Sequence, residues 1–257
     1  MKASALNITT TSTLMRYEKV FGTFIKYGFE DLLAHPPLNK LVPQTNRFVP
    51  SRAGRKVSEF TRYERIRLVC EELGTTFIKF AQIASNRPDL LPDELIAELS
   101  KLQDQVPPVA LEEVYGVLEE EFSRPWQEMV EYFEDQPLAS ASMAQVHRAR
   151  LVGGREVVLK IQRPGIREVI AADIAVLKQL VSIVESYFPA LLVYQPGELV
   201  KMFEQSITEE LSFRREAANL LHFQQMFRDN EKVLIPAIYR ELSTDKVLCM
   251  EYVPGYK

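Results

Sequence analysis

The sequence has few of the residues that build disulfide frameworks or metal sites. Its 257 residues include two cysteines and three histidines, and the histidines have no cysteine partners at the spacing of a zinc site. Cys70 falls on the apolar stripe of a helical segment and Cys249 in a strand-like run, so both are predicted to be buried thiols of a reducing compartment. We therefore predict no disulfide and assign no metal ligand in this chain.

The sequence also lacks an excess of positive charge and any long apolar run. With a formal net charge of -4 and no sustained basic segment, it has no electrostatic footprint for nucleic acid, and we exclude that class of partner. The longest apolar stretches, such as PALLVYQP, are far shorter than the roughly 20 residues that span a bilayer. The first residues lack the apolar core of a secretory signal, so a cytoplasmic protein is expected.

Helical periodicity dominates the first half of the chain. Apolar residues recur every three or four positions up to about residue 130, which predicts an all-helical extension over residues 1–133. One helix lies in the stretch GTTFIKFAQIASNRPDLLP, where Thr75 or Thr76 is expected to cap it and Pro88 to end it. Lys79 and Gln82 share one face of that helix, and no acid lies three or four residues from Lys79. Such a lysine is ordinarily solvated, so its role depends on the rest of the chain.

The periodicity changes in the second half. The run AQVHRARLVGGREVVLKIQ predicts a β-hairpin about a Gly-Gly pair. Helices are predicted over about residues 168–188 and 198–228, and two more strands in VLIPAIYREL and KVLCMEYV. Residues 134–257 are thus predicted to form a small antiparallel sheet with inserted helices, an α+β arrangement.

Two charged residues of this half are predicted to pair. Lys160 lies in a β-strand, and Glu216 lies on one helical stripe with Phe213, Leu220 and Phe223. A carboxylate among apolar neighbours is costly unless a cation meets it, so we predict a Lys160–Glu216 ion pair. A strand lysine paired with a glutamate on the following helix positions nucleotide phosphates in kinase-like folds.

The segment ASASMAQV, residues 139–146, has the frame of the kinase loop G-x-G-x-x-G-x-V with alanine at each glycine position. We name residues 139–144 the alanine-rich loop. Alanine resists positive φ, so this loop cannot fold over phosphates as a glycine loop does.

The hairpin register decides whether an adenine pocket can form. Such a pocket needs Val146 and Val158 on the strand face of Lys160, and that requires an odd number of loop residues. Gly-Gly favours a two-residue turn. We nevertheless predict a three-residue loop of Gly153, Gly154 and Arg155, with Arg148 opposite Lys160.

Four motifs in this order resemble the UbiB (AarF) family of atypical protein-kinase-like proteins. They are KFAQ at residues 79–82, ASASMAQVHRA at 139–149, VVLKIQRPGI at 157–166 and ELSFRREAAN at 210–219. The resemblance runs from about residue 63 to the last residue. It implies a helical extension followed by the amino-terminal lobe of a kinase-like fold, ending at the hinge.

The resemblance implies roles for individual residues. Lys160 and Glu216 match the catalytic pair, and Lys79, Gln82 and Glu210 would gate the site, with Lys79 near Glu210. The residues implied to bind nucleotide are Ala139, Ser140, Ala141, Ser142, Met143, Ala144, Val146, Val158, Lys160, Glu251 and Val253. Two positions depart from the family pattern: Ala81 replaces a glycine, and Ser212 replaces an aspartate.

The resemblance also implies cofactors and partners. The intact family is expected to use ATP or ADP with magnesium, for ATP hydrolysis more than protein phosphorylation, and to support synthesis of ubiquinone or related isoprenoid lipids at the inner membrane. The sequence contains no H-x-D or D-F-G motif, so the magnesium ligands are expected outside these residues, which would be inactive alone. The alternative is a non-enzymatic scaffold that binds a lipid or a protein, which the apolar first helix, with Tyr17, Phe21 and Phe24, favours.

Overall fold

The computed structural model describes residues 11–29, 59–102 and 106–255, which form helices and one small antiparallel sheet. The helices are α1 (Thr11–Lys26), α2 (Arg62–Leu73), α3 (Thr75–Ser85), α4 (Asp93–Leu99), α5 (Leu111–Glu121), α6 (Ile166–Tyr187), α7 (Pro196–Glu210) and α8 (Phe213–Met226). The strands are β1 (Val130–Phe133), β2 (Ala139–Ser140), β3 (Ala144–Leu151), β4 (Glu156–Gln162) and β5 (Val247–Glu251). None of the helices described is long and apolar enough to cross a membrane.

The chain divides into two compact units. The helical unit takes Met1–Asp104 and Glu168–Glu204, and the sheet unit takes Gln105–Arg167 and Gln205–Lys257. The predicted division into residues 1–133 and 134–257 follows chain order, whereas most of α6 and α7 belongs to the helical unit. That functional division stays a prediction.

A buried ion pair joins α1 to α6 within the helical unit. The Asp173 side chain is fully buried, and both of its oxygens accept hydrogen bonds from the Arg16 guanidinium. The same guanidinium donates to the carbonyl of Leu73 at the end of α2, at 2.8 Å. Arg16 therefore fastens three helices at one point.

The start of α3 differs from the prediction. Thr61 caps α2 in a capping box with Glu64, and α2 ends at Gly74, which has a φ of 91°. Gly74 is also the N-cap residue of α3, which has no side-chain cap. The predicted Thr75 or Thr76 cap is wrong because the one-residue junction already places both threonines in the helix.

The sheet has the order β1-β3-β4-β5, with β2 paired to β3. Val157, Leu159 and Ile161 of β4 pack with α5 and Trp126 on one face. On the other face Leu248 of β5 packs with residues of α8. The alternation predicted for β4 is confirmed, as is the burial of both cysteines.

Two buried polar residues of β3 form a chain of hydrogen bonds across the sheet core. The Gln145 Oε1 atom accepts from the Val109 N–H at 3.0 Å, so its amide nitrogen faces His147 Nε2, at 2.8 Å. His147 Nε2 must then accept, and Nδ1 donates to the Glu134 carbonyl at 2.8 Å. Burial lowers the pKa of His147, which agrees with a neutral ring.

Three predicted elements differ in the structure. Strand β1 lies within residues predicted to be helical. The helix predicted over residues 198–228 is two helices, α7 and α8. The predicted strand VLIPAIYREL supplies only an isolated bridge between Ile238 and Met250, followed by a short 3-10 helix, Arg240–Leu242.

Candidate functional site

The centre of the candidate site is the predicted ion pair between β4 and α8, which the structure confirms. Lys160 Nζ lies 2.9 Å from Oε1 and 2.8 Å from Oε2 of Glu216. The two side chains are 28% and 34% exposed, and Lys160 Nζ lies 4.9 Å from the centroid of the Phe213 ring. The lysine is therefore anchored on one side and still accessible to a ligand.

The register of the β3–β4 hairpin places two valines beside this lysine. Val146 is directly opposite Lys160, and Arg148 is opposite Val158, so all four residues share one face of the sheet. This parity confirms the predicted odd loop.

One residue of α8 differs from the prediction. Phe223, predicted on the apolar stripe of Glu216, is 45% exposed.

The predicted pairs of that hairpin are wrong by two positions. Leu151 and Arg155 close the loop, with the Leu151 N–H donating to the Arg155 carbonyl at 2.9 Å. The loop residues are thus Val152, Gly153 and Gly154. Both glycines have positive φ, 100° and 84°. In the observed register the loop positions that need positive φ are therefore occupied by glycine and not by Arg155.

The first turn of α8 is set by a polar network that sequence reasoning missed. The Ser212 side chain caps α8, accepting from the Arg215 N–H. The buried amide of Gln162 donates to the carbonyl of Leu211 at 2.6 Å and to that of Asp245 at 3.1 Å. Arg167 Nη2 donates to the same two carbonyls.

This network places Glu216 within reach of Lys160. Gln162 and Lys160 lie two residues apart and so share a face of β4. One strand therefore holds the residue before the α8 cap through Gln162 and the carboxylate in its first turn through Lys160. Gln162 belongs to the motif VVLKIQRPGI, and this motif is the sequence signal that could have identified the contact.

The alanine-rich loop is a tight hairpin. Ala139 pairs with Val146 and Ser140 with Gln145, and the Ala141 N–H donates to the Ala144 carbonyl at 2.9 Å. Among the described non-glycine residues only Gln195 has positive φ. The loop thus has the ordinary backbone that its alanines favour.

Three further loop residues are buried: Ser142, Met143 and Ala144. The buried Ser142 hydroxyl has no hydrogen-bond partner in the described part of the chain.

The predicted hinge residues are Glu251, which ends β5, and the residues directly after it. The Glu251 N–H donates to the Ala237 carbonyl at 2.8 Å, and the Tyr252 N–H donates to the Glu156 carbonyl at 3.2 Å. Both of these donors are engaged within the sheet unit, and Val253 is 41% exposed. Binding of adenine at these residues stays a prediction.

Glu210 and Glu216 line one cavity of about 500 Å³ in the sheet unit, together with Glu209, Arg215, Ala218 and Asn219. Glu209 pairs with Arg215 at 2.9 Å. The cavity therefore carries mostly negative charge beside the Lys160–Glu216 pair.

Lys79 and Gln82 lie on α3 of the helical unit. The Gln82 amide donates to the Leu102 carbonyl at 3.2 Å, and Ala81 between them is buried. Glu210 belongs to the other unit, and its proximity to Lys79 stays a prediction.

The helical unit contains a largely apolar cavity of about 400 Å³. Its lining includes Ile66, Phe80, Leu177, Val184 and Leu199, with Arg62, Tyr63 and Tyr194 as polar members. Cavities of this size and lining suit small apolar ligands.

Comparison with known proteins gives matches along nearly the whole chain. The family model of the ABC1 atypical kinase-like domain matches residues 101–257. Proteins named "Probable protein kinase UbiB" from Pseudomonas putida and Pseudomonas aeruginosa are each 38% identical, over 97% of this chain and 46% and 47% of their own length. This chain thus spans about half the length of the curated relatives it matches. The structure of Mycobacterium tuberculosis Rv3197 with erythromycin is 31% identical, with a TM-score of 0.49, over 73% of this chain and 47% of that one.

Proposed function

This chain belongs to the ABC1 atypical kinase-like family, and on that premise we propose that its sheet unit binds ATP or ADP. The observation that carries the proposal is the Lys160–Glu216 pair on the sheet face that also presents Val146 and Val158. An ammonium group anchored by a carboxylate can meet phosphate oxygens, and two branched side chains can pack against adenine. The alanine-rich loop borders the same face through the pairing of Ala139 with Val146.

The residues present fit a nucleotide better than a bound metal ion. Lys160 keeps an accessible side of its ammonium group, and the buried Ser142 hydroxyl lacks a partner within the described residues. The residues that the structure describes contain no group of three histidine, cysteine, aspartate or glutamate side chains that could hold a metal ion. We therefore assign no step to magnesium and limit the proposal to binding and orientation of the nucleotide.

Titration of ADP and ATP into the purified chain by calorimetry tests this proposal. Lys160→Met is expected to weaken binding at least tenfold, since it removes the cation that meets the phosphates. The matched control Lys232→Met changes an exposed lysine of the same unit and is expected to bind like the wild type. Equal binding by the Lys160 variant, or no binding by the folded wild type, would contradict the proposal.

A second candidate function is binding of an isoprenoid lipid, in support of the synthesis of ubiquinone or a related compound. The apolar cavity of the helical unit favours it. Val184→Asn places a polar group in the cavity and is expected to weaken binding of a short-chain ubiquinone at least fivefold. Val193→Asn, at a 69% exposed position, is the control. Unchanged binding by the Val184 variant would remove this candidate.

A further inference from the structure

Arg163, the residue that follows β4, contacts the alanine-rich loop at three points. Its backbone N–H donates to the Met143 carbonyl at 2.9 Å. Its Nε donates to the Ala141 carbonyl at 2.9 Å, and its Nη2 donates to Ser140 Oγ at 2.9 Å. The same Nη2 also donates to the carbonyl of Pro107 at 2.7 Å.

We propose that Arg163 is a positioning residue that fixes the alanine-rich loop in its hairpin form and fastens it to the segment before α5. The proposal rests on the nucleotide-binding function proposed above for its consequence. Its structural part concerns the loop before any ligand binds.

The loop needs such a partner because its own pairing is short. Strand β2 has only two residues, and so short a hairpin is marginal without further packing. The side-chain donors of Arg163 reach the loop just before its turn, while its backbone N–H holds the carbonyl of Met143 within the turn. These contacts restrain the end of β2 and the turn that follows it.

Arginine suits this task for a geometric reason. Its planar guanidinium holds several N–H donors in a fixed fork, so Nε and Nη2 can serve Ala141 and Ser140 together. A lysine has one flexible ammonium and cannot reproduce that geometry. Its backbone N–H would still bind Met143, so Arg163→Lys is a graded variant.

The position of Arg163 relates the loop to Lys160. Lys160 lies three residues earlier, within β4, so the lysine and the residue that holds the loop belong to one continuous backbone segment. A loop fixed relative to Lys160 is pre-organised for a nucleotide, and pre-organisation lowers the ordering cost of binding.

Amide hydrogen exchange without nucleotide tests the structural part. Arg163→Met is expected to speed exchange at the Ala141 amide at least tenfold, since the side-chain hydrogen bonds to Ala141 and Ser140 are both lost. Arg163→Lys should fall between this variant and the wild type, and Ser140→Ala should have a smaller effect because the Ala141 contact remains. Arg124→Met, at an exposed position of the same unit, should exchange like the wild type.

An unchanged loop in Arg163→Met would overturn the proposal. So would equally accelerated exchange throughout β3 and β4, because Arg163 would then stabilise the sheet and not the loop. Titration of ADP gives the second measurement: a fivefold or greater loss of affinity in Arg163→Met supports positioning of the nucleotide, and an unchanged affinity refutes that consequence. If the wild type itself fails to bind ADP, the proposed function fails, while the exchange result still decides whether Arg163 holds the loop.

Discussion

Replacement of Arg16 by methionine tests the buried ion pair of the helical unit. Methionine keeps much of the arginine volume but donates no hydrogen bond. The Asp173 carboxylate, whose side chain is fully buried, would then stay in the core without its cation. The Leu73 carbonyl would lose the donor that now lies 2.8 Å away.

The structure sets the size of the expected effect. Removing one partner of a buried ion pair costs about 3–5 kcal/mol, and the lost donor to Leu73 adds about 1 kcal/mol. We therefore expect Arg16→Met to lower the free energy of unfolding by about 4 kcal/mol or more. The double variant R16M/D173L removes both charges and is expected to recover most of that loss, because an apolar pair of similar volume can replace a buried ion pair.

Urea denaturation with two probes measures this change. The single tryptophan, Trp126, lies in the sheet unit, so its fluorescence follows that unit, while circular dichroism follows the helices of both. With an m value of at most about 3 kcal/mol/M, the dichroism midpoint should fall by at least roughly 1.3 M. A loss below about 1 kcal/mol, or a double variant no more stable than Arg16→Met, would refute the reasoning.

Three further predictions concern the sheet unit. Burial holds the pKa of His147 below its ordinary value. The neutral ring therefore stabilises the fold fully above the unfolded pKa of ~6.5, and this stabilisation is lost as pH falls below that value towards the folded pKa. In acid denaturation, the free energy of unfolding should fall less in His147→Gln than in wild type or in His222→Gln. Gly154→Ala should cost about 1 kcal/mol in thermal unfolding because of its positive φ, whereas Gly116→Ala, in α5 with open space around it, should stabilise. Purified residues 1–257 should not hydrolyse ATP with magnesium, and turnover that Lys160→Ala abolishes would contradict the view that the magnesium ligands lie elsewhere.

Local patterns predicted those parts of the site that depend on a single element or on the free-energy cost of burying an unpaired charge. The alternation of β4 alone placed Val158 on the face opposite the core-facing residues, beside Lys160. The odd loop that puts Val146 on this face was predicted because an adenine pocket requires it, against the Gly-Gly preference for a two-residue turn. The cost of a lone carboxylate among apolar neighbours identified Glu216 as the partner of Lys160. The face of β4 that carries Lys160 and the helical stripe that carries Glu216 needed only the strand period and the helix period.

The break between α7 and α8 could not be predicted in this way. No glycine or proline marks it, and the donors that hold the Leu211 carbonyl come from Gln162 and Arg167, more than 40 residues earlier in the chain. The strand predicted for VLIPAIYREL was wrong for a related reason. Its apolar run looks like a strand, but the sheet offers it only one bridge, at Ile238.

The Ser212 position shows why a departure from the family pattern can leave the helix start intact. Serine and aspartate are comparable N-cap residues, so the cap of α8 survives the change while one negative charge is lost. Ser212 Oγ lies 3.5 Å from Asp245 Oδ1 and can donate to it, whereas an aspartate there would repel that carboxylate. Asp245 in turn lies 3.7 Å from Arg214 Nε and provides negative charge near the start of α8. The charge therefore comes from a neighbouring segment, and Glu216 keeps its place one turn beyond the cap.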